Sequence, residues 1–186
     1  MSASTGRAET ASMRSRAIKL RSWPKEGVSR IPDWIYTDSS LYEAEVERIF
    51  HGPTWNFVGF EAEIPNRGDF RRSYVGPTPV ILIRGENGKI HVVQNRCAHR
   101  GTEFCRERKG NKPELVCPYH QWQYDLEGNL KGVPYRRGVK GGKGGMPPDF
   151  KLEQNGLTKL KVATRHGLVF GSFSEEVEPL DEYLGP

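Results

Sequence analysis

Two short pairs of cysteine and histidine lie in the middle of the chain and are the residues best suited to chemistry. One residue separates Cys97 from His99, two separate Cys117 from His120, and seventeen separate His99 from Cys117. Thiolates and imidazoles two or three positions apart are typical ligands of transition metals. The spacing therefore predicts two loops that grip one small metal centre from both sides.

The mixed composition of each pair distinguishes between possible metals. Zinc accepts two Cys and two His, but its usual fingers place both cysteines in one pair and both histidines in the other. Mixed pairs are expected for a Rieske [2Fe–2S] centre, in which two His replace two Cys on one of the irons. We expect Cys97 and Cys117 on one iron and His99 and His120 on the other. A zinc site and four ordinary unligated side chains are the alternatives.

This ligand mixture has a consequence for redox chemistry. Four thiolates leave a [2Fe–2S] cluster negative even when it is oxidised, whereas two thiolates and two neutral imidazoles leave it formally neutral. Reduction is then easier, and Rieske potentials lie well above those of plant-type ferredoxins. The thiols must lose their protons to bind iron, so the site assembles with proton release. The pairs thus predict an electron-transfer centre.

Composition and charge exclude several other classes of protein. The 186 residues, of which 35% are hydrophobic, are enough for one substantial domain. No apolar run approaches the ~20 residues that span a bilayer, and the dispersed net charge of +5 does not indicate nucleic-acid binding. The Arg- and Ser-rich N-terminus lacks a secretory signal, and three cysteines exclude a complete disulfide framework. We therefore expect a cytoplasmic protein with metal-bound thiolates and no membrane partner.

A short helix is predicted ahead of the metal-binding segment. Ser40 and Glu43 form a capping box in which Ser40 is the N-cap residue. The apolar residues that share one face of this helix are Tyr42, Val46, Ile49 and Phe50. Gly52-Pro53 is expected to end it.

From Trp55 onward the sequence predicts β-structure. "TWNFVGF" and "GDFRRSYV" are strand candidates, and "PVILIRGENGKIHVVQN" is a hairpin that turns at residues 87–88. A second hairpin turns at 127–129, two further strands flank 166–167, and "GGKGGMPPD" is a loop. Short strands with regular turn signals indicate an antiparallel sandwich or small barrel. Both Cys/His pairs then lie on loops beside hairpins.

The residues around both pairs resemble a known family. "CAHRG" at 97–101 and "CPYH" at 117–120, followed by Trp122, resemble the Rieske motif of aromatic-ring-hydroxylating oxygenases, in their large (alpha) subunit. The resemblance covers nearly the whole chain from about Arg30 onward. "RIPDWIYTD", "EIPNRGDFRRSYVG", "NRCAHRG" and "GGMPPDFKLEQNGLTKLKV" look especially similar to salicylate hydroxylase and terephthalate dioxygenase large subunits. Gln121 departs from the family, because many members have glycine before the tryptophan.

The resemblance implies a fold and its division along the chain. The fold is mostly β: a Rieske [2Fe–2S] domain, built as an antiparallel β sandwich with a cluster-binding hairpin subdomain, plus a short N-terminal helix. The chain divides into a flexible basic arm at 1–30, a helical segment at 31–54 and the Rieske domain at 55–175. Residues 176–186 are expected to be a linker to a catalytic domain that this sequence lacks.

The resemblance also implies a role. Electrons derived from NAD(P)H arrive from a ferredoxin or ferredoxin reductase and pass to a mononuclear non-haem Fe(II), which uses O₂ to hydroxylate an aromatic substrate. That substrate is expected to be carboxylated, as salicylate is. The Fe(II), held by two His and one carboxylate, belongs to the missing C-terminal domain, so this chain is expected to contain no catalytic residue.

In family members the recipient iron belongs to a neighbouring subunit, and the second Rieske histidine, here His120, contacts a bridging aspartate near it. A small (beta) subunit and a trimer-type homo-oligomer are further implied partners. A stand-alone Rieske ferredoxin is the alternative function. Such carriers are usually shorter and lack the helix at 40–50 and the "GGMPPDFKLEQ" loop, and both are present here.

Respiratory Rieske proteins differ at defined positions. Each of their cluster loops carries an extra cysteine, and the two form a disulfide; the corresponding positions here are Thr102 and Tyr119. They also place Gly-Ser after the last histidine, where this chain has Gln121-Trp122. Fewer hydrogen bonds to sulfur lower the potential. We therefore expect a potential near the bottom of the Rieske range, roughly −150 mV.

The remaining candidate residues have simpler roles. Cys105 is expected to be an unligated, buried or half-buried thiol, and His51, His91 and His166 to be surface or turn residues. Trp122 is expected to pack over the cluster and exclude water.

Two basic segments, "RERKG" and "YRRGVKGGKGG", are either solvated loops or a docking face for an electron donor. The residues that would test a docking role are Arg106, Arg108, Arg136 and Arg137.

Overall fold

The structure is a computed structural model that describes residues 23–25, 27–140 and 142–186. The predicted basic arm at 1–30 lies largely outside the described residues, as does Gly141 of the predicted glycine-rich loop. Short 3₁₀ turns occupy Gly27–Ser29, Glu61–Glu63 and Leu152–Gln154. The chain divides into two compact units, with the boundary between Glu45 and Val46.

The N-terminal unit contains two short helices, α1 at Trp34–Thr37 and α2 at Ser39–Glu45. The carboxylate of Asp38 accepts the backbone N–H of Ser40 at 2.9 Å and that of Leu41 at 3.4 Å. The hydroxyl of Ser40 donates to the same carboxylate at 2.6 Å. Asp38 therefore caps α2, and the prediction that Ser40 is the N-cap residue was wrong. Asp38 lies immediately before α2, where its carboxylate can accept the free N–H groups of the first turn. Ser40 already lies inside the helix, where its hydroxyl is less well placed to do so.

The second unit begins with a π-helical turn at Val46–Phe50, in which Val46 O accepts the N–H of His51 at 2.9 Å. Phe50 packs against a hydrophobic core, whereas Tyr42 and Ile49 stay half exposed. The predicted shared apolar face was therefore wrong for these two residues. The prediction assumed 3.6 residues per turn, whereas the π-helical hydrogen bond joins residues five positions apart and widens the turn. Gly52 ends the turn as predicted: a Cβ there would lie 2.1 Å from Arg48 O.

Three antiparallel sheets follow and confirm the mostly β fold. Their orders are β1-β10-β9, β4-β3-β2-β5 and β6-β7-β8. The strands are β1 (Asn56–Phe60), β2 (Asp69–Val75), β3 (Thr78–Arg84), β4 (Ile90–Gln94), β5 (Lys109–Asn111), β6 (Leu115–Val116), β7 (Gln123–Tyr124), β8 (Leu130–Gly132), β9 (Lys161–Arg165) and β10 (Leu168–Ser172).

Strand β3 lies at the centre of the four-stranded sheet and is buried on both faces. Ile81 and Ile83 point into a core shared with the segments that carry the Cys/His pairs. Val80 and Leu82 point the other way, into a core shared with β1 and β10. Side chains of a strand alternate between faces, so this continuous apolar run separates two cores and explains why the strand is not amphipathic.

The predicted hairpins are confirmed. Strands β3 and β4 pair across the 87–88 turn, with Gly88 at φ +75°, and β7 and β8 pair across 127–129. Strands β9 and β10 pair across His166 and Gly167, which have φ of +52° and +80°. Two successive left-handed residues are the signature of a tight type I′ hairpin turn. The Cys/His pairs lie in the segments that follow β4 and β6.

The C-terminal residues pack onto the second unit. Helix α3 spans Leu180–Leu184, and Val177 and Leu180 form a small third core with Trp55. The indole N–H of Trp55 donates to Glu178 O at 2.9 Å. Any link from 176–186 to a further domain would therefore start from a packed helix, and that link stays a prediction.

Among the residues described, none of the helices has the length and apolar character needed to cross a membrane.

Candidate functional site

The first Cys/His pair lies on a closed loop after β4. Cys97 N–H donates to Thr102 O at 2.9 Å, and Gly101 N–H donates back to Cys97 O at 2.8 Å. Gly101 has φ +71°, a conformation that glycine adopts without steric cost. The loop is a compact knuckle that directs Cys97 and His99 toward the same side.

The second pair repeats this backbone design between β6 and β7. Cys117 N–H donates to Trp122 O at 2.9 Å, and Gln121 N–H donates to Cys117 O at 2.8 Å. Gln121 takes the place of Gly101 and has φ +55°. A non-glycine residue in this region is strained by roughly 1–2 kcal/mol. The surrounding structure therefore holds Gln121 in a conformation that glycine would adopt more easily.

A buried asparagine fixes the far end of the first knuckle. Asn95 is fully buried, accepts the N–H of Cys105 at 3.0 Å and donates to Cys105 O at 2.8 Å. This paired contact closes the segment between Asn95 and Cys105. No local pattern predicts this contact, because an isolated Asn is equally compatible with a turn.

The two knuckles bring the four predicted ligands together. The Cys97 and Cys117 thiols are both buried, and burial together with the neighbouring Cys117 raises the pKa of Cys97. The ring centroids of His99 and His120 lie 4.7 Å apart. Nδ1 of His99 is buried and has no hydrogen-bond partner among the described residues. A buried nitrogen without a partner is costly, so this lone pair fits a metal ligand.

Burial changes the protonation of the candidate ligands. Burial raises the pKa of the Cys97 thiol, which opposes a bare thiolate. Burial, and then the neighbouring His120 and Arg100, lower the pKa of His99, which favours the neutral imidazole that binds metal. The positive charge of a bound metal would stabilise the buried thiolate, which water does not reach. The donor set therefore fits an iron–sulfur cluster.

No three Cys, His or carboxylate side chains converge on a single point anywhere in the described part of the chain. A Rieske cluster does not require such convergence, because each of its irons takes only two protein ligands.

Tyr124 is a residue of the site that sequence reasoning missed. Its hydroxyl lies 3.2 Å from Cys97 Sγ and accepts the N–H of Ala98 at 3.1 Å. Burial and the contact with Cys97 raise the pKa of Tyr124 well above its usual range, so the phenol keeps its proton. When Cys97 is a thiolate, the phenol donates to its sulfur, a hydrogen bond that the expectation of a sparsely bonded cluster left out.

Two aromatic residues flank the imidazoles. Trp122 is only 4% exposed and stacks on His99, with ring centroids 4.9 Å apart and planes 7° from parallel. It covers the His99 side of the site, and its packing over a bound cluster stays a prediction. Tyr119 is 63% exposed, and its ring lies 4.0 Å from that of His120. His99 and His120 are both half-buried, but the exposed Tyr119 leaves the His120 side of the site more open than the side that Trp122 covers.

The other sequence candidates lie away from the pairs. Cys105 is buried, and all three cysteines are free thiols. His51 forms a 2.8 Å hydrogen bond with Thr78 Oγ1, and His166 lies in the exposed turn between β9 and β10. His91 is half buried on β4, with no partner for Nε2 in the described residues.

Comparison with known proteins places this site in a family. Residues 54–143 match the profile of the Rieske [2Fe-2S] domain. The large oxygenase component of salicylate 5-hydroxylase from Ralstonia sp is 60% identical over 167 residues, which cover 88% of this chain and 40% of that protein. The anthranilate 1,2-dioxygenase large subunit of Burkholderia cepacia is 53% identical, over 88% of this chain and 38% of that protein.

Solved structures agree with the sequence comparison. A naphthalene 1,2-dioxygenase bound to phenanthrene superposes with a TM-score of 0.73 at 32% identity, over 81% of this chain and 32% of that one. The chain spans about two fifths of the length of the curated relatives named above. The chain corresponds to the N-terminal part of these relatives. It therefore belongs to the family of Rieske [2Fe–2S] domains found in the large subunits of aromatic-ring-hydroxylating oxygenases.

Proposed function

We propose that Cys97, His99, Cys117 and His120 ligate the Rieske [2Fe–2S] cluster, with the two thiolates on one iron and the two imidazoles on the other. The observation that carries the assignment is the pair of matching knuckles: they bury both thiols, bring the rings of His99 and His120 to 4.7 Å between centroids, and leave His99 Nδ1 buried without a partner in the described residues. The cluster supplies one-electron chemistry when it is bound. The chain buries and orients its ligands.

The chain then serves as the electron-input module of an oxygenase. Electrons derived from NAD(P)H come from a ferredoxin or ferredoxin reductase and leave toward a mononuclear non-haem Fe(II) outside this chain. They leave from the more open His120 side of the site, toward a neighbouring subunit of a trimer-type oligomer that also contains a small (beta) subunit. Free buried thiols suit a reducing compartment, and we place the protein in the cytoplasm.

The substrate we propose is a carboxylated aromatic compound such as salicylate. Relatives named for salicylate, anthranilate and terephthalate are 60%, 53% and 44% identical to this chain. Relatives named for biphenyl and chlorobenzene, which carry no carboxylate, are 39–41% identical. The gradient supports a carboxylated substrate, although the residues that would bind it lie outside the chain.

The ligand assignment is tested by single substitutions in the cluster-loaded chain. Cys97→Ser, Cys117→Ser, His99→Ala and His120→Ala should each abolish the visible absorption and the EPR signal of dithionite-reduced protein. Iron and acid-labile sulfide analysis should give two of each per wild-type chain.

Matched controls come from the residues outside the pairs. Cys105→Ser and His166→Asn should retain the full signal, because Asn95 contacts only the backbone of residue 105 and exposed His166 lies in a turn that Asn tolerates. A colourless wild-type protein that binds zinc would refute the proposal. Loss of the cluster in Cys105→Ser with retention in Cys117→Ser would refute the ligand set.

The oxygenase role and substrate are tested on the complete gene product. Sequencing beyond codon 186 should reveal a two-His, one-carboxylate site, and the purified oxygenase with its reductase should consume NADH and O₂ with salicylate but not with benzene. An intact gene that ends at codon 186 would favour a stand-alone carrier instead.

A further inference from the structure

A strongly basic segment lies beside the proposed cluster. We name it the basic loop and define it as residues 131–151 without Gly141. Its cations are all exposed, and it has one carboxylate, Asp149. The cations are Lys131, Arg136, Arg137, Lys140, Lys143 and Lys151. Within the described residues no carboxylate pairs with Arg137, Lys140 or Lys143. The loop therefore presents uncompensated positive charge.

The basic loop is folded and holds these charges in place. Met146 N–H donates to Arg136 O at 2.9 Å, and Val139 and Lys143 form an antiparallel bridge. A Cβ at Gly145 would lie 2.7 Å from the backbone N of Gly138, so the two sides of the loop touch at a point where only glycine fits. The charges thus form a defined surface rather than a diffuse tail.

A continuous column of contacts joins this surface to the site. The Arg136 guanidinium lies 6.0 Å from the centre of the Phe150 ring and donates to Phe150 O at 3.1 Å. The Phe150 ring meets Trp122 edge-on at 5.8 Å, and Trp122 stacks on His99 at 4.9 Å. No step in the column exceeds 6.0 Å. The basic loop therefore rests directly on the side of the site that carries His99.

The second basic segment of the sequence carries less net charge. Within residues 103–112, four cations stand beside two carboxylates, Glu103 and Glu107, which pair with Arg72 at 3.3 Å and with Lys112. The net charge of that segment is +2, whereas the six cations and one carboxylate of the basic loop give +5. An approaching acidic protein is therefore attracted more strongly to the basic loop.

We infer that the basic loop is the docking surface for an acidic electron-donor protein, and that electrons enter on the His99 side of the site. The inference rests on the proposed function and deepens it by naming the surface and the partner's charge. One electron leaves the reduced donor and is taken up at the cluster; no bond forms or breaks. Complementary charge mainly accelerates encounter. Entry beside His99 leaves the open His120 side for exit.

Stopped-flow spectroscopy of the cluster-loaded chain tests this surface. The probe is a reduced, acidic plant-type [2Fe–2S] ferredoxin, whose potential of about −400 mV makes transfer to a Rieske centre favourable. Arg137→Glu/Lys140→Glu should lower the second-order rate constant on the order of tenfold at low salt. The difference should vanish at about 1 M salt, where charges are screened. Arg136 is left intact because it contacts Phe150.

Arg106→Glu/Arg108→Glu is the matched control, because it makes the same change in net charge on the other segment. It should change the rate less than about twofold. A cationic oxidant, hexaammineruthenium(III), should oxidise the reduced Arg137→Glu/Lys140→Glu variant faster than wild type. This reversal of sign cannot arise from misfolding, and unchanged EPR spectra will show that the cluster is intact.

Equal effects of the two double variants, or an Arg137→Glu/Lys140→Glu rate that matches wild type at low salt, would overturn the docking inference while leaving the cluster assignment intact. A wild-type chain that takes up no iron–sulfur cluster would instead refute the proposed function, and the inference with it.

Discussion

Tyr124→Phe removes one hydroxyl and should lower the reduction potential of the cluster. Once Cys97 is deprotonated, only the tyrosine can donate in the 3.2 Å contact between Tyr124 Oη and Cys97 Sγ. Hydrogen bonds to charged acceptors contribute about 1.5–3 kcal/mol. Reduction adds negative charge and strengthens the bond. A differential of about 1–1.5 kcal/mol between redox states corresponds to roughly 40–65 mV for one electron.

The assay is a spectroscopically monitored redox titration of cluster-loaded Tyr124→Phe and wild type. The variant should titrate at a lower potential and should also unfold more easily, by about 0.5–1.5 kcal/mol, because Ala98 N–H loses its acceptor. Tyr135→Phe is the matched control, since Tyr135 is 74% exposed; its potential should equal that of wild type. An unchanged or higher potential in Tyr124→Phe would refute the reasoning that this hydroxyl donates to the ligand sulfur.

Three further substitutions test how the chain supports the site. Asn95→Ala should lower the free energy of unfolding by about 2–4 kcal/mol in denaturant titrations, because both buried backbone groups of Cys105 lose their partners. His91→Gln should reduce the loss of stability that the wild type shows as the pH falls below 6.5. Burial lowers the pKa of His91 from 6.5 in the folded chain, so acid protonates this histidine more readily in the unfolded chain and favours unfolding. Gln121→Gly should raise stability by up to about 1 kcal/mol and Gln121→Val should lower it, since φ at this position is +55°.

Each of these predictions has a contrary result. An Asn95→Ala chain as stable as wild type would mean that the Cys105 contacts do not support the knuckle. If the stability of His91→Gln depends on pH as that of the wild type does, other groups cause the loss of stability in acid. His51 is one such group, because burial also lowers its pKa. Stabilisation by Gln121→Val would contradict the left-handed conformation of the second knuckle.

The hairpins could be predicted from sequence because their signals are local. Residues 87–88 and 166–167 carry turn chemistry that fixes strand pairing within a few residues. The start of α2 was assigned to the wrong residue because Asp38 and Ser40 are both good caps, and only the hydrogen bonds distinguish them. The apolar face of the helix was misjudged because a π-helical turn leaves no clear trace in a pattern of apolar residues.

The candidate ligands could be named from sequence because each pair is short and chemically unusual. Their supporting residues could not. Tyr124 lies 27 positions from Cys97, and Phe150 reaches Trp122 only through the folded basic loop. Such contacts depend on how three sheets pack, which no local pattern encodes.

The measurement that tests the central claim most directly is pulsed EPR of the reduced, cluster-loaded chain labelled with ¹⁵N-histidine. Mixed ligation predicts two strongly coupled histidine nitrogens, and one fewer in His99→Ala or His120→Ala if any cluster survives. Unchanged couplings in the His166→Asn control would assign both nitrogens to the paired histidines. A reduced cluster without histidine coupling would contradict the account.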